Sequence, residues 1–128
     1  MAEMKDLIGE TIKSFKVSEG YEGDVILITC VSGACFKMFH DQDCCESVSI
    51  EDICGDIDDL IGSVVLDASE VASRKDPEGA VKERDSFYMD SFTWTFYKID
   101  TDRGGITIRW YGESNGCYSE AVDFVRIQ

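Results

Sequence analysis

Hydrophobic and polar residues alternate most regularly in the last third of the chain, between residues 91 and 99. The three aromatic residues of this segment fall on one face of an extended chain and the threonines on the other: Phe92, Trp94 and Phe96 against Thr93 and Thr95. A period of two is typical of a β-strand. Glycine-containing turns at 102–105 and 113–116 separate it from apolar runs at 106–112 and 121–127. The pattern therefore predicts a three-stranded antiparallel meander at the C-terminal end.

Earlier segments predict further strands and two short helices. A β-branched run at 24–30, a turn at 31–33 and a second run at 35–40 predict a hairpin, and residues 63–69 predict another strand. Residues 52–60 space their isoleucines and leucine as an amphipathic helix does, and 70–75 predict a second short helix. The expected fold class is α+β, mainly β: an antiparallel twisted sheet or a partly open barrel, with the C-terminal meander and short helices.

One seven-residue pattern, D-L-I-G-x-x-[IV], occurs twice, beginning at Asp6 and at Asp59. Each copy predicts a short helical turn that ends at a glycine and is followed by a β-branched run. The repeat is interpreted either as an internal echo of helix-turn-strand units or as one local solution used twice. Four identical residues in a row favour the second interpretation.

Length and charge narrow the function classes. A chain of 128 residues is expected to form one domain, residues 1–128, with a sizeable core. Its net charge is −14, and residues 38–73 hold ten acidic residues with no lysine or arginine. Direct binding of DNA or RNA is disfavoured, since phosphate neutralisation needs a basic stripe. A basic protein surface is the natural partner of the acidic segment. Charge alone, however, favours a merely solubilising surface.

The segment from His40 to Asp59 carries the candidate chemistry. It contains the single histidine, three of the six cysteines and eight carboxylates. No apolar run approaches 18 residues and the N-terminal residues are acidic, so a cytoplasmic location with reduced cysteines is expected. Histidine nitrogen and cysteine sulfur are the preferred ligands of structural zinc. The residue types predict a zinc site at His40, Cys44 and Cys45. Cys54 is the best local candidate for the fourth ligand, with Cys35, Cys117 and the nearby carboxylates as alternatives. The alternative to a zinc site is a reduced cysteine pair beside a hydrogen-bonded histidine.

The carboxylates of the same segment predict a surface that binds a basic partner. The expected contact residues are Asp41, Asp43, Glu51, Asp52, Asp56, Asp58 and Asp59. A competing class is a small cytosolic hydrolase or other enzyme acting on a small molecule, in which Cys45 would be the nucleophile and His40 its base. The surrounding negative charge disfavours a thiolate, so the enzyme reading is the weaker one.

Two blocks of sequence resemble a known group. Residues 40–46, HDQDCCE, with parts of 50–62, and a second block at 94–97 and 106–116, resemble a family of small phage and prophage proteins. The motif of that family includes Cys44 and Cys45 but not Cys54. A small acidic phage protein of this kind is similar to type II-A anti-CRISPR proteins, some of which hold zinc. The resemblance implies an inhibitor of a type II CRISPR effector nuclease, whose positively charged channel an acidic surface would obstruct.

Overall fold

Eight antiparallel strands and two single 3-10 turns make up the described part of the chain. The computed structural model describes residues 2–20, 23–42, 46–74, 91–114 and 119–128. The strands are β1 (Ile12–Gly20), β2 (Gly23–Cys30), β3 (Cys35–Phe39), β4 (Ser47–Cys54), β5 (Val65–Ser73), β6 (Ser91–Thr101), β7 (Gly105–Ser114) and β8 (Asp123–Arg126). The N-terminal 3-10 turn is Met4–Leu7 and the central 3-10 turn is Ile57–Asp59.

The strands form two four-stranded sheets with the orders β1-β2-β3-β8 and β4-β7-β6-β5. Buried side chains of both sheets form one hydrophobic core, including Ile28 and Phe36 from the first sheet and Ile99 and Trp110 from the second. The predicted mainly-β antiparallel class is confirmed, as are the β2–β3 and β6–β7 hairpins. Within the described residues no helix has the length and apolarity to cross a membrane.

The two predicted helices are wrong. Residues 47–54 form β4, which pairs with β7, and Gly55 then turns the chain at φ 116°. Only Ile57–Asp59 is helical, as one 3-10 turn. Residues 70–73 belong to β5, where pairing with β6 overrides the helical pattern, and Lys75 lies outside the described residues.

The predicted C-terminal meander is also wrong in its last strand. β8 pairs with β3 in the other sheet, where Phe124 stacks on Phe36 with ring centroids 5.3 Å apart. The place beside β7 is taken by β4. A glycine permits this crossing: a Cβ on Gly112 would lie 2.9 Å from the carbonyl oxygen of Glu120. The chain therefore passes close over β7 on its way to the opposite sheet.

The two D-L-I-G segments lie side by side and are related by a pseudo-two-fold axis. The amide of Gly9 donates to the carbonyl of Val65, and the amide of Gly62, the equivalent glycine, donates to the carbonyl of Ile12. Thr11 and Val64, also equivalent, form the bridge between them. Equivalent residues thus make equivalent hydrogen bonds in both directions.

The correspondence extends well beyond seven residues. In each half a 3-10 turn leads into a three-stranded meander, β1-β2-β3 or β5-β6-β7, and the next strand joins the other half's sheet. Both first strands carry a register shift at the same place, between Ile12 and Ser14 and between Val65 and Asp67. Aligning the registers superposes buried pairs: Leu7 with Leu60, Ile28 with Ile99, Phe36 with Ile106, and Met38 with Ile108. The structure therefore favours the first interpretation, an internal repeat of helix-turn-strand units. The exchanged fourth strands β4 and β8 connect the two halves.

Candidate functional site

His40 lies just after β3 and its imidazole joins the starts of both exchanged strands. Its Nδ1 is 2.7 Å from the carbonyl oxygen of Ala121, and its Nε2 is 3.1 Å from Oε2 of Glu46. A carbonyl only accepts, so Nδ1 carries a proton. Nε2 either donates to the ionised Glu46 or accepts from its protonated form. In this arrangement neither ring nitrogen offers a lone pair to a metal.

The predicted zinc ligands are only partly within the described residues. Cys44 and Cys45 lie outside them, as does Asp43. Cys54 ends β4, whereas Glu46, the partner of His40, precedes its start. Eight strand residues span roughly 25 Å at about 3.3 Å each. Cys54 and His40 thus lie near opposite ends of β4, a separation that disfavours one ion bound by both. Among the described residues no group of three histidine, cysteine or acidic side chains is placed to hold a metal.

Two of the thiols that the structure describes, those of Cys30 and Cys54, have raised pKa values. Cys54 is exposed and donates to Oδ2 of Asp52 at 3.2 Å, and this hydrogen bond raises the pKa of the thiol. Burial raises the pKa of Cys30 to about 11. Both effects favour the protonated thiol, which is a poor nucleophile. Cys45, the nucleophile of the enzyme reading, lies outside the described residues.

The acidic residues of the 41–59 segment do not form one continuous surface. Asp41 and the buried Glu46 lie near the start of β4, while Asp56, Asp58 and Asp59 follow its end. Glu51 lies between them and forms an ion pair with the guanidinium of Arg109. The extended conformation of β4 separates the two groups of acids. The described residues of the predicted contact surface therefore lie in two separate regions.

At the far end of β4 the fold gathers more acids than the sequence segment supplies. Asp56, Asp58 and Asp59 lie beside the β6–β7 turn, since a Cβ on Gly104 would be 2.9 Å from Oδ2 of Asp59. Asp102 lies in this turn and Asp100 lies just before it, at the end of β6. Asp67 of β5 is the register partner of Asp100. We name these six exposed residues the acidic end: Asp56, Asp58, Asp59, Asp67, Asp100 and Asp102. Sequence reasoning missed Asp100 and Asp102 because they lie in a part of the chain with nearly balanced charge.

Arg103 is the basic residue within the same turn, and its guanidinium forms intramolecular hydrogen bonds. Nε donates to the Ser63 hydroxyl at 2.8 Å, and a terminal nitrogen donates to the carbonyl of Ile61 at 2.6 Å. It therefore fastens the central 3-10 turn and its following residues to the β6–β7 turn. The carboxylates around it still carry a large excess of negative charge.

Aromatic residues of β6 and β7 pack as cross-strand pairs. Trp94 and Tyr111 are register partners with ring centroids 4.7 Å apart, and both are buried. The guanidinium of Arg109 lies 5.4 Å from the Trp94 ring. These contacts stabilise the outward face of the second sheet.

Comparison with known proteins places the chain in one family. It belongs to the family described as a domain of unknown function, DUF7448, whose family model matches residues 5–124. No curated protein and no solved structure matches the chain.

Proposed function

We propose that this protein acts by binding a basic protein, and that the acidic end is the contact surface. The observation that carries the proposal is the convergence of six exposed aspartates from three separate segments. These are the central 3-10 turn with its cap, the start of β5, and the end of β6 with the β6–β7 turn. Clustered charge of one sign raises the encounter rate with a surface of opposite sign and disfavours partners of like sign. A basic protein fits this surface, and nucleic acid does not.

Rigidity of the acidic end supports a specific role for it. Asp56 accepts from the amide of Asp58 at 3.0 Å and so caps the central 3-10 turn. Arg103 ties that turn to the β6–β7 turn through Ser63 and Ile61. Carboxylates on a fixed backbone present one charge pattern to a partner, at a smaller ordering cost than a flexible acidic tail.

The resemblance to small acidic phage proteins supplies the partner to test first, a type II CRISPR effector nuclease in the host cytoplasm. Such nucleases hold their nucleic acids in a positively charged channel. The acidic end, docked on that basic surface, would obstruct DNA loading or cleavage. The proposed activity is therefore inhibition by occupation, with no reaction catalysed by this chain.

The experiment is complex formation with a purified guide-loaded type II nuclease, followed by size-exclusion chromatography and a DNA-cleavage assay. The parent protein is expected to co-elute with the nuclease and to inhibit cleavage. Changing Asp56, Asp58 and Asp59 to asparagine keeps the cap, since asparagine also caps helices well, and should weaken both readouts.

A second triple variant controls for net charge. Glu3→Gln, Glu19→Gln and Asp41→Asn remove the same number of charges from exposed positions outside the acidic end. This variant should bind and inhibit like the parent. Equal loss in the two variants, or no loss in either, would mean that the acidic end only keeps the protein in solution.

A further inference from the structure

Each exchanged strand is preceded by a buried glutamate, and the two glutamates have different partners. Glu46 precedes β4 and receives hydrogen bonds from Gln42 Nε2 at 2.9 Å and contacts the imidazole of His40. Glu120 precedes β8 and is 9% exposed. Its oxygens accept from the hydroxyls of Thr93, at 2.7 Å, and of Ser114. Within the described chain, no lysine, arginine or histidine forms an ion pair with Glu120.

Glu120 lines a cleft of about 460 Å³ between the end of β5, the start of β6 and the segment leading to β8. We name this the Glu120 cleft. A second carboxylate, Glu70, lines it and accepts from the hydroxyl of the buried Tyr97 at 3.3 Å. Val122 contributes an apolar wall. The cleft's own cation, Arg74, donates instead to the Ser91 hydroxyl.

The comparison between the two glutamates indicates what the cleft lacks. A buried carboxylate is stabilised most by a charge-assisted hydrogen bond from a cation, and hydroxyl donors replace it only in part. In the first half of the protein the imidazole of His40 lies within hydrogen-bond distance of Glu46 and supplies such a cation when it is protonated. At Glu120 the corresponding side faces an open cleft with a second carboxylate. A cationic group from outside would complete the site.

We propose that the Glu120 cleft binds an ammonium or guanidinium group on an alkyl chain, delivered as a lysine or arginine side chain of the protein partner. The cationic head would lie between Glu120 and Glu70, and the methylene chain against Val122. This inference rests on the proposed function in one respect, the basic nature of the partner. The cleft is separate from the acidic end, so the proposal for the cleft and the proposed function can be refuted independently of each other.

The test uses small capped amino acids as probes and needs no partner protein. N-acetyl-lysine amide and N-acetyl-arginine amide are titrated into the full-length protein and followed by NMR shifts of the residues around the cleft. The neutral N-acetyl-norleucine amide has a similar chain without the charge. The lysine and arginine probes should bind at least tenfold more tightly than the norleucine probe. Equal binding of the three probes would overturn the proposal.

Variants then locate the binding. Glu120→Gln keeps one acceptor oxygen, and its NH2 group can donate to the oxygen of the other hydroxyl. The variant should weaken binding of the lysine probe at least tenfold. Arg74→Gln removes a positive charge that repels the lysine probe, so this variant should bind the probe more tightly. Asp102→Asn, the same charge change as Glu120→Gln but at the acidic end, should alter probe binding less than twofold. If Asp102→Asn weakens the probe as much as Glu120→Gln, binding is only a response to net charge and the cleft assignment is wrong.

Two further readouts keep the result interpretable. Thermal unfolding of Glu120→Gln shows whether the variant is folded, and Glu70→Gln, at an exposed position, provides a second variant that is expected to fold normally and to bind the probe less tightly. Free butylammonium distinguishes the source of the cation. If it binds as tightly as the lysine probe while Glu120→Gln leaves the nuclease complex unchanged, the ligand is a free amine and the partner-side-chain assignment is wrong.

Discussion

Removal of the His40 imidazole is expected to destabilise the protein strongly, whether or not a metal is bound. The His40 and Glu46 side chains are 5% and 0% exposed, and they join β3, β4 and the segment before β8. The substitution His40→Ala leaves the carboxylate of Glu46 buried without its imidazole partner. It also removes the donor to the carbonyl of Ala121.

The size of the loss follows from the buried position of the pair. Breaking a buried ion pair by removing one partner costs roughly 3–5 kcal/mol, because the remaining charge stays in the interior. Gln42 still donates to Oε1 of Glu46, so the lower value, about 3 kcal/mol, is expected. Against a typical unfolding free energy of about 5–15 kcal/mol, this is a large fraction.

Urea unfolding of a double-mutant cycle measures the coupling. His40→Ala, Glu46→Ala and the double variant are compared with the parent by circular dichroism. The double variant leaves no buried charge, so its loss should be smaller than the sum of the single losses by at least about 1 kcal/mol. Single losses that add within about 0.5 kcal/mol would refute the proposed contact between the two side chains.

The same variants test the role of His40 in the zinc hypothesis. Both nitrogens of His40 are hydrogen-bonded to oxygen atoms, so we expect no contribution of this residue to a metal site. The zinc content of His40→Ala, measured by elemental analysis, should equal that of the parent. A parent that holds about one equivalent of zinc, as a structural site does, and a variant that holds none would contradict this placement of His40.

Two other positions give sharp expectations. Gly55 has φ 116° and a Cβ there would lie 2.5 Å from the Gly105 carbonyl oxygen, so Gly55→Ala should cost more than about 2 kcal/mol in urea unfolding. Gly23→Ala, at φ 105° with open space around it, isolates the backbone strain and should cost about 1 kcal/mol; equal costs would show that Gly55 is not in close contact. Iodoacetamide should modify Cys54 faster in Asp52→Asn, because the lost hydrogen bond lowers the raised pKa of the thiol; an unchanged rate would count against that bond.

Local patterns predicted the strands that alternate strictly and misjudged the others. The alternation at 92–96 and the turn at 102–105 identify β6 and β7 because each strand's own residues carry the signal. β4 contains the acidic residues Glu51 and Asp52, which are uncommon in strands. The spacing of Ile53, Ile57 and Leu60 also resembles that of a helix. Its strand conformation is set by pairing with β7, which no local pattern contains.

The remaining features of the fold depend on contacts between residues that are distant in sequence. The sequence order of β6, β7 and β8 favours a meander, whereas β8 crosses to β3 because Phe124 packs on Phe36. Likewise, Asp100 and Asp102 join Asp59 only through the contact at Gly104. The repeated D-L-I-G segments were the one sequence signal of the pseudo-two-fold arrangement, and their mutual hydrogen bonds give that signal its meaning.

The salt dependence of the association rate tests the acidic-end proposal most directly. A carboxylate about 7 Å from a partner cation contributes about 0.6 kcal/mol in water, and screening at physiological salt reduces this to about 0.25 kcal/mol. Three carboxylates therefore correspond to roughly a threefold change in rate. Biolayer interferometry of the nuclease with the parent and with the Asp56/Asp58/Asp59→Asn variant should show a slower association and a flatter salt dependence for the variant. Identical rates at both low and physiological salt would contradict the account.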